Sequence, residues 1–552
     1  MLSPNAQKIF DDKYAQILPS GKKETWEQAC VRVAHYVAGA EQTESNRLQY
    51  TADFTKILLE LSFLPGGRVL SNAGTEIKNM MNCFVLPIED SRDGIYTALK
   101  YSAEIFAHGG GIGYNFSNLR AAGTPVKGTG AKASGPLSFM ELFDHTGEVI
   151  AQGSRRGAQM GILNIDHPDI VDFIQLKNEL HAKNRRLVEE LNENYGWGVY
   201  SDARMGELKR ALAENQFSHF NISVALTDEY MRNPDYKLYL IGKNAWENGD
   251  PGVYFTDRAN ADNMVPYLGS LDSTNPCGEV PLLSYEPCCL GSINLERFVA
   301  GNFIDFDYLK FVVRTAVRFL DNVQELNDTP IKEINGAARA TRRLGLGVMG
   351  FADFLAELGI PYDHEDALTA ARICGKIIQM TAWETSMELA VEKGPFPAYK
   401  PGEMNWKLID GLKLERRPVR NVAVTSIAPT GSIALVASVN GGIEPYFSKN
   451  YTRHITQGIG NIAKASLDQS SIDNPSVRYA NQISWEAHVK MQATWQEYVD
   501  NAVSKTINMP NDASVEEIID SYKLGWELGC KGLTVYRDNS RGFQILERQE
   551  TE

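Results

Sequence analysis

Beyond about residue 216, short β-rich runs alternate with helical patterns through to the end of the chain, as expected of an α/β barrel. HFNISVAL (219–226) and NVAVTSIA (421–428) read as strands set between stretches with helical apolar spacing. Ahead of them, WEQACVRVAHYVAGA and FTKILLELSFL give residues 1–60 a helical reading, with a Pro-Ser-Gly break at 19–21. Between 65 and 180, the runs PGGRVLSNAG, AHGGGIGYNF and ASGPLSFM mark tight turns where glycine permits close backbone approach to a ligand. The expected organisation is a helical N-terminal region over 1–64, an α/β barrel over 65–540 and a tail over 541–552. A charged segment from about 179 to 216 reads as two solvated helices around a Gly-Trp-Gly turn, a surface insertion in the barrel.

With 552 residues, 43% of them hydrophobic, the chain can bury a substantial core, in roughly three or four average domains or equally in one large α/β barrel with extensions. A formal net charge of -14 argues against nucleic acid as a partner, because a polyanion needs a basic face. No apolar run reaches the length of a membrane span, and MLSPNAQKIFDDKY lacks the basic-then-apolar profile of a signal peptide. A cytoplasmic location is the expectation.

Seven cysteines (Cys30, Cys83, Cys277, Cys288, Cys289, Cys374, Cys530), an odd number without any CxxC pair, argue against a secreted disulfide framework and against structural zinc. In an extended segment the adjacent Cys288 and Cys289 point to opposite sides, so they cannot share one site. In NPCGE, extended geometry would put Asn275, Cys277 and Glu279 on one face, since Pro276 pushes its predecessor toward the β region. A thiol between an amide and a carboxylate suits proton and hydrogen-atom chemistry on a hydroxylated substrate; a buried cysteine at a turn is the alternative reading. APTGSI (428–433) offers hydroxyls and backbone N–H groups to an anion, or is an ordinary strand-to-helix cap. GGGIG is not a dinucleotide fingerprint.

The sequence resembles the catalytic chain of ribonucleotide reductases, most closely the class II, adenosylcobalamin-dependent group. The resemblance runs through LSPNAQKIFDDKY, LSNAGTEIKNMMNCFVLPIEDS, GGGIGYNFSNLRAAGTPVKGTGAKASGPLSFMELFD, GSRRGAQMGILNIDHPDIVDFI, NPCGEVPL, CLGSINL, TSIAPTGSIALVASVNGGIEPYF and GCKGLTVYRDNSR, in the family's order. It implies a ten-stranded α/β barrel with Cys277 on a central finger loop. It also implies that Cys277 carries a thiyl radical, that Glu279 is the general base on the 3′ hydroxyl, and that Asn275 holds the same sugar edge. Cys83 and Cys288 become the reducing pair on neighbouring strands; the family usually has Asn where this chain has Cys289. The substrate phosphates are expected at Pro429, Thr430, Gly431, Ser432 and Ile433, with Asn72 and Gly111. A dNTP or ATP specificity effector is expected at Asp90, Ser91, Arg120, Lys127, Arg155, Arg156 and Gln159, at the edge of a homodimer.

The same resemblance bears on the radical source. A class I relative uses two adjacent tyrosines near the C-terminus, where this chain reads Leu533-Thr534-Val535-Tyr536, and no glycyl-radical motif of class III is found. Adenosylcobalamin is therefore the expected cofactor, its cobalt the only metal, although the DxHxxG motif of other B12 proteins is missing, as in this class generally. The alternatives are a class I-like subunit and a nucleotide-binding homologue without turnover. RGFQILERQETE has no thiol, so re-reduction is expected to use an external dithiol, a second polypeptide or a longer native chain. The chain begins in the catalytic region, so an N-terminal ATP-sensing on/off site is not expected.

Overall fold

The structure, a computed structural model, describes residues 2–126, 128, 130–150, 157–178, 216–301, 303–456, 462–468, 474–540 and 546–548. The charged insertion lies, but for Gln216, outside these residues, as do Lys127, Arg155 and Arg156. Three helices open the chain: α1 (Pro4–Lys13), α2 (Trp26–Ala38) and α3 (Glu44–Leu59). Each starts where a hydroxyl can accept an orphan N–H, at Ser3, Thr25 and Thr43, and Thr25 with Gln28 completes a capping box. Ala29, Cys30, Val33, Ala34 and Val37 form the buried stripe of α2 at helical spacing. Three further helices matter below: α4 (Gly67–Asn72), α5 (Arg92–Ala107) and α6 (Pro136–Val149).

The strands are short. They are β1 (Phe63–Pro65), β2 (Cys83–Val85), β3 (Gly111–Asn115), β4 (Gln159–Asn164), β5 (Phe220–Leu226), β6 (Gly252–Phe255), β7 (Ser273–Thr274), β8 (Pro281–Leu282), β9 (Pro287–Asn294), β10 (Val299–Ala300), β11 (Phe303–Ile304), β12 (Leu344–Met349), β13 (Asn450–Thr456), β14 (Ile462–Asp468), β15 (Thr506–Met509), β16 (Gly532–Arg537) and β17 (Leu546–Arg548). β2 to β6 pair in parallel in chain order, and β6 then meets β16 antiparallel. β16 pairs parallel with β15, and β12 parallel with β9, which returns antiparallel to β2. Segment 423–427 closes the ring: it bridges Leu346 through Thr425 and Val503 through Ile427, both in parallel. Ten staves thus form two parallel halves joined by two antiparallel seams, a ten-stranded α/β barrel.

Strand alternation sorts the side chains. Ile112, Tyr114, Ile222, Val224, Val253, Phe255, Ile507, Leu533 and Val535 belong to the main core beneath the helices. The alternate positions face inward and include Gly111, Gly113, Ser223, Gly252, Gly345 and Gly347. Because these inward side chains are small or absent, the barrel has room for a chain segment inside it. Among the described residues, no helix is long and apolar enough to cross a membrane.

Candidate active site

The segment inside the barrel is the hairpin β7–β8, whose tip is NPCGEV. Glycines make its insertion sterically possible. A Cβ at Gly113 would lie 1.6 Å from the carbonyl oxygen of Thr274, and one at Gly111 would lie 2.9 Å from Pro276 Cγ. Anchors come from both halves of the barrel. Asn221 Nδ2 donates to the Pro276 carbonyl at 2.8 Å, while the Ser426 hydroxyl and the Ala502 N–H both donate to the Glu279 carbonyl at 2.8 Å. The tip is a turn, not the extended segment expected from the sequence: Gly278 has φ 81° and its N–H donates to the Asn275 carbonyl at 3.0 Å. Gly278 is what makes the difference, since a left-handed residue turns the chain where a strand would continue.

The turn still brings Asn275, Cys277 and Glu279 together. Asn275 is buried, its Oδ1 accepting the Val280 N–H at 3.0 Å, and its amide lowers the pKa values of both Cys83 and Glu279, which places it between them. Glu279 is 2% exposed. Burial raises its pKa, the Asn275 hydrogen bond pulls the other way, and the result is about 7. Its Oε2 is buried without a hydrogen-bond partner, an acceptor pointing at nothing in the protein. Cys277 is solvent-exposed by surface area, yet desolvation is the first cause raising its thiol pKa, followed by the charge of Glu279. Both hold for a side chain that faces a water-accessible hollow inside the barrel.

Cys83 on β2 and Cys288 on β9 are direct partners across the antiparallel ladder, a spacing of about 4.5–5.5 Å between Cα atoms. They share a small interior cluster with Val85, Val280, Leu282 and Leu290, packed against Ala428. A Cβ at Gly345 would come within 3.2 Å of Cys288 Sγ, so this wall too is kept thin. Cys289 points the other way, into the main core, as do Cys30, Cys374 and Cys530. Burial raises the thiol pKa values of Cys83 and Cys288, so both are protonated near neutral pH.

Ala428 leads directly into the 429–433 segment. Thr430 caps the short helix Gly431–Ala437 in the left-handed region at φ 53°, held there by its Oγ1 accepting the Gly442 N–H at 2.8 Å. No side chain caps this helix start. Asn72 ends α4, buried, with Nδ2 donating to the Asn79 carbonyl at 2.7 Å. Asp90 and Arg120 form an ion pair at 2.8 Å, both about one-third exposed, and Ser91 caps α5 through Gly94 N–H at 3.0 Å. Gln159 stands apart from these: it is 1% exposed and its Nε2 donates to the Phe143 carbonyl of α6 at 3.0 Å. Its first position on β4 turns it outward beneath the helices.

Several contributors escape a sequence reading. Asn221, Ser426 and Ala502 are invisible because they act from distant strands on backbone carbonyls. Gly113 had a signal: in GGGIGYNF it repeats Gly111 at the strand period, which puts two bare positions on one face. Among the described residues, no group of three or more His, Cys, Asp or Glu is placed to hold a metal ion.

Residues 81–236 and 238–536 match the family described as "Ribonucleotide reductase, barrel domain", and residues 1–78 match "Ribonucleotide reductase, all-alpha domain". A vitamin B12-dependent ribonucleoside-diphosphate reductase of Thermoplasma acidophilum is 38% identical over 90% of this chain and 66% of its own length. The protein of the same description from Mycobacterium tuberculosis is 38% identical over 93% of this chain and 76% of its own. The chain thus spans about two-thirds to three-quarters of these relatives. In fold, it is similar to the class Id ribonucleotide reductase alpha subunit of Actinobacillus ureae, with a TM-score of 0.74 and 21% identity, covering 98% of this chain and 97% of that one.

Proposed function

Because the chain belongs to the ribonucleotide reductase family, we propose that it reduces ribonucleotides to 2′-deoxyribonucleotides by thiol radical chemistry with adenosylcobalamin as the radical source. The observation that carries this reading is the meeting of Cys277, Asn275 and Glu279 with the opposed thiols Cys83 and Cys288 inside one barrel. Adenosylcobalamin, when bound, supplies the radical that takes the hydrogen from the Cys277 thiol. The residues present suit such a bulky group: Cys277, Asn221 and Thr534 are exposed although their neighbours along β5 and β16 are mostly buried, so these two strands present accessible side chains inside the barrel. Val535 faces the core, so only Thr534 and Tyr536 of this run face inward. Asn221 and Thr534 are the residues that would border the cofactor.

The Cys277 thiyl radical removes hydrogen from C3′ of the ribose, and the unpartnered Glu279 Oε2 takes the proton of the 3′ hydroxyl. A carboxylate with a pKa near 7 can hold that proton and return it. Asn275 keeps the carboxylate and Cys83 in one frame. The 2′ hydroxyl leaves as water with a thiol proton, and Cys83 and Cys288 supply two electrons by becoming a disulfide. Cys277 then gives hydrogen back to C3′. The balance is ribonucleotide plus dithiol giving deoxyribonucleotide, disulfide and water. Their raised pKa values favour this role, because a protonated thiol can donate a proton or a hydrogen atom where a thiolate cannot.

The substrate, a nucleoside diphosphate in this reading, is held through its phosphates by Pro429, Thr430, Gly431, Ser432 and Ile433, with Asn72 and Gly111 nearby. A dNTP or ATP effector binds at Asp90, Ser91 and Arg120 together with Lys127, Arg155 and Arg156, in a homodimer. An external dithiol restores the Cys83–Cys288 pair. The test is an anaerobic assay with a ribonucleoside di- or triphosphate and dithiothreitol, with and without adenosylcobalamin. Cobalamin-dependent deoxyribonucleotide is the expected result. Product without cobalamin overturns the cofactor, and no product with any radical source overturns the reductase reading.

A further inference from the structure

The turn after α1 touches two separate pieces of the substrate site. Tyr14, 2% exposed, is hydrogen-bonded through its hydroxyl to the Ser432 hydroxyl. Two residues on, Gln16 Nε2 donates to the Ser71 carbonyl at 2.6 Å, and the Ser71 hydroxyl lies 2.9 Å from Asn72 Oδ1 and 3.0 Å from the Gly67 carbonyl, its two nearest acceptors. The contact is reinforced on both sides. Ser3 Oγ and Ser438 Oγ lie 2.9 Å apart at the other end of α1 and of the helix Gly431–Ala437. Glu24 accepts the Gln16 N–H at 3.0 Å and pairs with Arg32 at 2.6 Å, and Arg32 donates to the carbonyls of Leu70, at 3.1 Å, and Ala73.

The Tyr14 ring is part of the main core, so its hydroxyl is fixed by packing rather than by the bond it makes. The chemistry then sets the direction of that bond. Phosphate oxygens only accept, so Ser432 must spend its one proton on the ligand, and its oxygen must accept from Tyr14. Such a chain polarises the serine O–H toward the anion.

We propose that Tyr14 is a positioning residue of the substrate site, donating to Ser432 Oγ so that the serine proton points at a phosphate oxygen, while Gln16 ties the same turn to the Asn72 side. The N-terminal helical region is then a working part of the nucleotide site. This rests on the reading of residues 429–433 as the phosphate segment.

Tyr14→Phe keeps the ring and removes one donor. Binding of a ribonucleoside diphosphate and of the matching ribonucleoside is measured calorimetrically on the full chain, alongside steady-state kinetics. The expected result is diphosphate binding weakened about three- to tenfold, with nucleoside binding unchanged. KM rises while kcat holds. In a Ser432→Ala background Tyr14→Phe has no further effect, and Ser432→Thr, which keeps a hydroxyl, restores the dependence on Tyr14. Should Tyr14→Phe fail to fold, Gln16→Ala takes its place, with the same loss for the diphosphate alone. Unchanged diphosphate binding where Ser432→Ala weakens it overturns the inference and leaves the phosphate segment standing. Equal losses for nucleoside and diphosphate also overturn it, since they mark a defect of the fold. Ser432→Ala without effect removes the phosphate reading itself, and the inference with it.

Discussion

Glu279 carries its charge against the pull of its surroundings, and both rate and stability should show it. Turnover needs the carboxylate as a base, so kcat should rise as pH increases through about 7, the value to which burial lifts this group. For stability the sign is opposite. The folded state holds the proton up to about pH 7 while the unfolded chain releases it near 4.5, so stability falls as pH rises between them. Glu279→Gln should abolish turnover yet unfold no more easily above pH 7, gaining on the order of 1–3 kcal/mol in urea titrations. Cys277→Ser should also be inactive, while Cys289→Ser should retain most turnover because Cys289 packs outside the barrel wall. Measurement of deoxyribonucleotide formed by each variant checks the pair. At this scale the sequence was informative where chemistry is local: NPCGE drew attention to an amide, a thiol and a carboxylate. It misled on geometry, because spacing alone could not show that Gly278 turns the chain.

At the scale of elements, the β7–β8 hairpin exists because the surrounding strands leave space for it. Gly113→Ala would drive a methyl group into the Thr274 carbonyl, a backbone oxygen that no side-chain rotation can move aside. The hairpin or β3 must shift, and the expected cost is about 1–3 kcal/mol or more, with turnover lost through displacement of Cys277. Thermal unfolding and activity of the same preparation test both. A milder effect is expected of Asn221→Ala, which removes only the amide holding the Pro276 carbonyl: kcat should fall while substrate affinity stays near its original value. The alternation of helices and strands was legible from the chain itself, because β5 and the 423–427 stave are rich in apolar, partly β-branched residues. The closure of the ring was not. Stave 423–427 joins its neighbours through isolated bridges, and β2 and β7 are only two or three residues long, so their partners are decided by contacts far away in sequence. The number of staves came from family resemblance.

At the scale of the whole molecule, a buried ionic network fastens the N-terminal helices to the barrel. Glu41 accepts from Arg318 Nε at 2.9 Å and Nη2 at 2.8 Å and from Asn322 at 2.8 Å, with Lys393 at 3.3 Å. Burial alone would raise its pKa, but the hydrogen bonds of Arg318 and Asn322 and the nearby positive charges hold it at about 2. Its contribution is therefore present above the ordinary carboxylate value near 4.5 and is lost as pH falls toward 2. Glu41→Gln should lower the unfolding free energy by about 3 kcal/mol at neutral pH, because it leaves Lys393 buried without its counter-charge and leaves Arg318 with Glu392 as its one remaining carboxylate partner. The gap between variant and original should close in acid, as chemical denaturation across pH would show.

The position of Cys83 and Cys288 has a consequence for the barrel as a whole. They face each other across one of the two seams where the parallel halves meet head to tail. In the proposed cycle, each substrate reduced would stitch the halves together with a covalent rung, and each reduction of that bond would unpick it. The catalyst would alternate between a riveted and an unriveted shell, its mechanical state recording whether the last turnover has been reset.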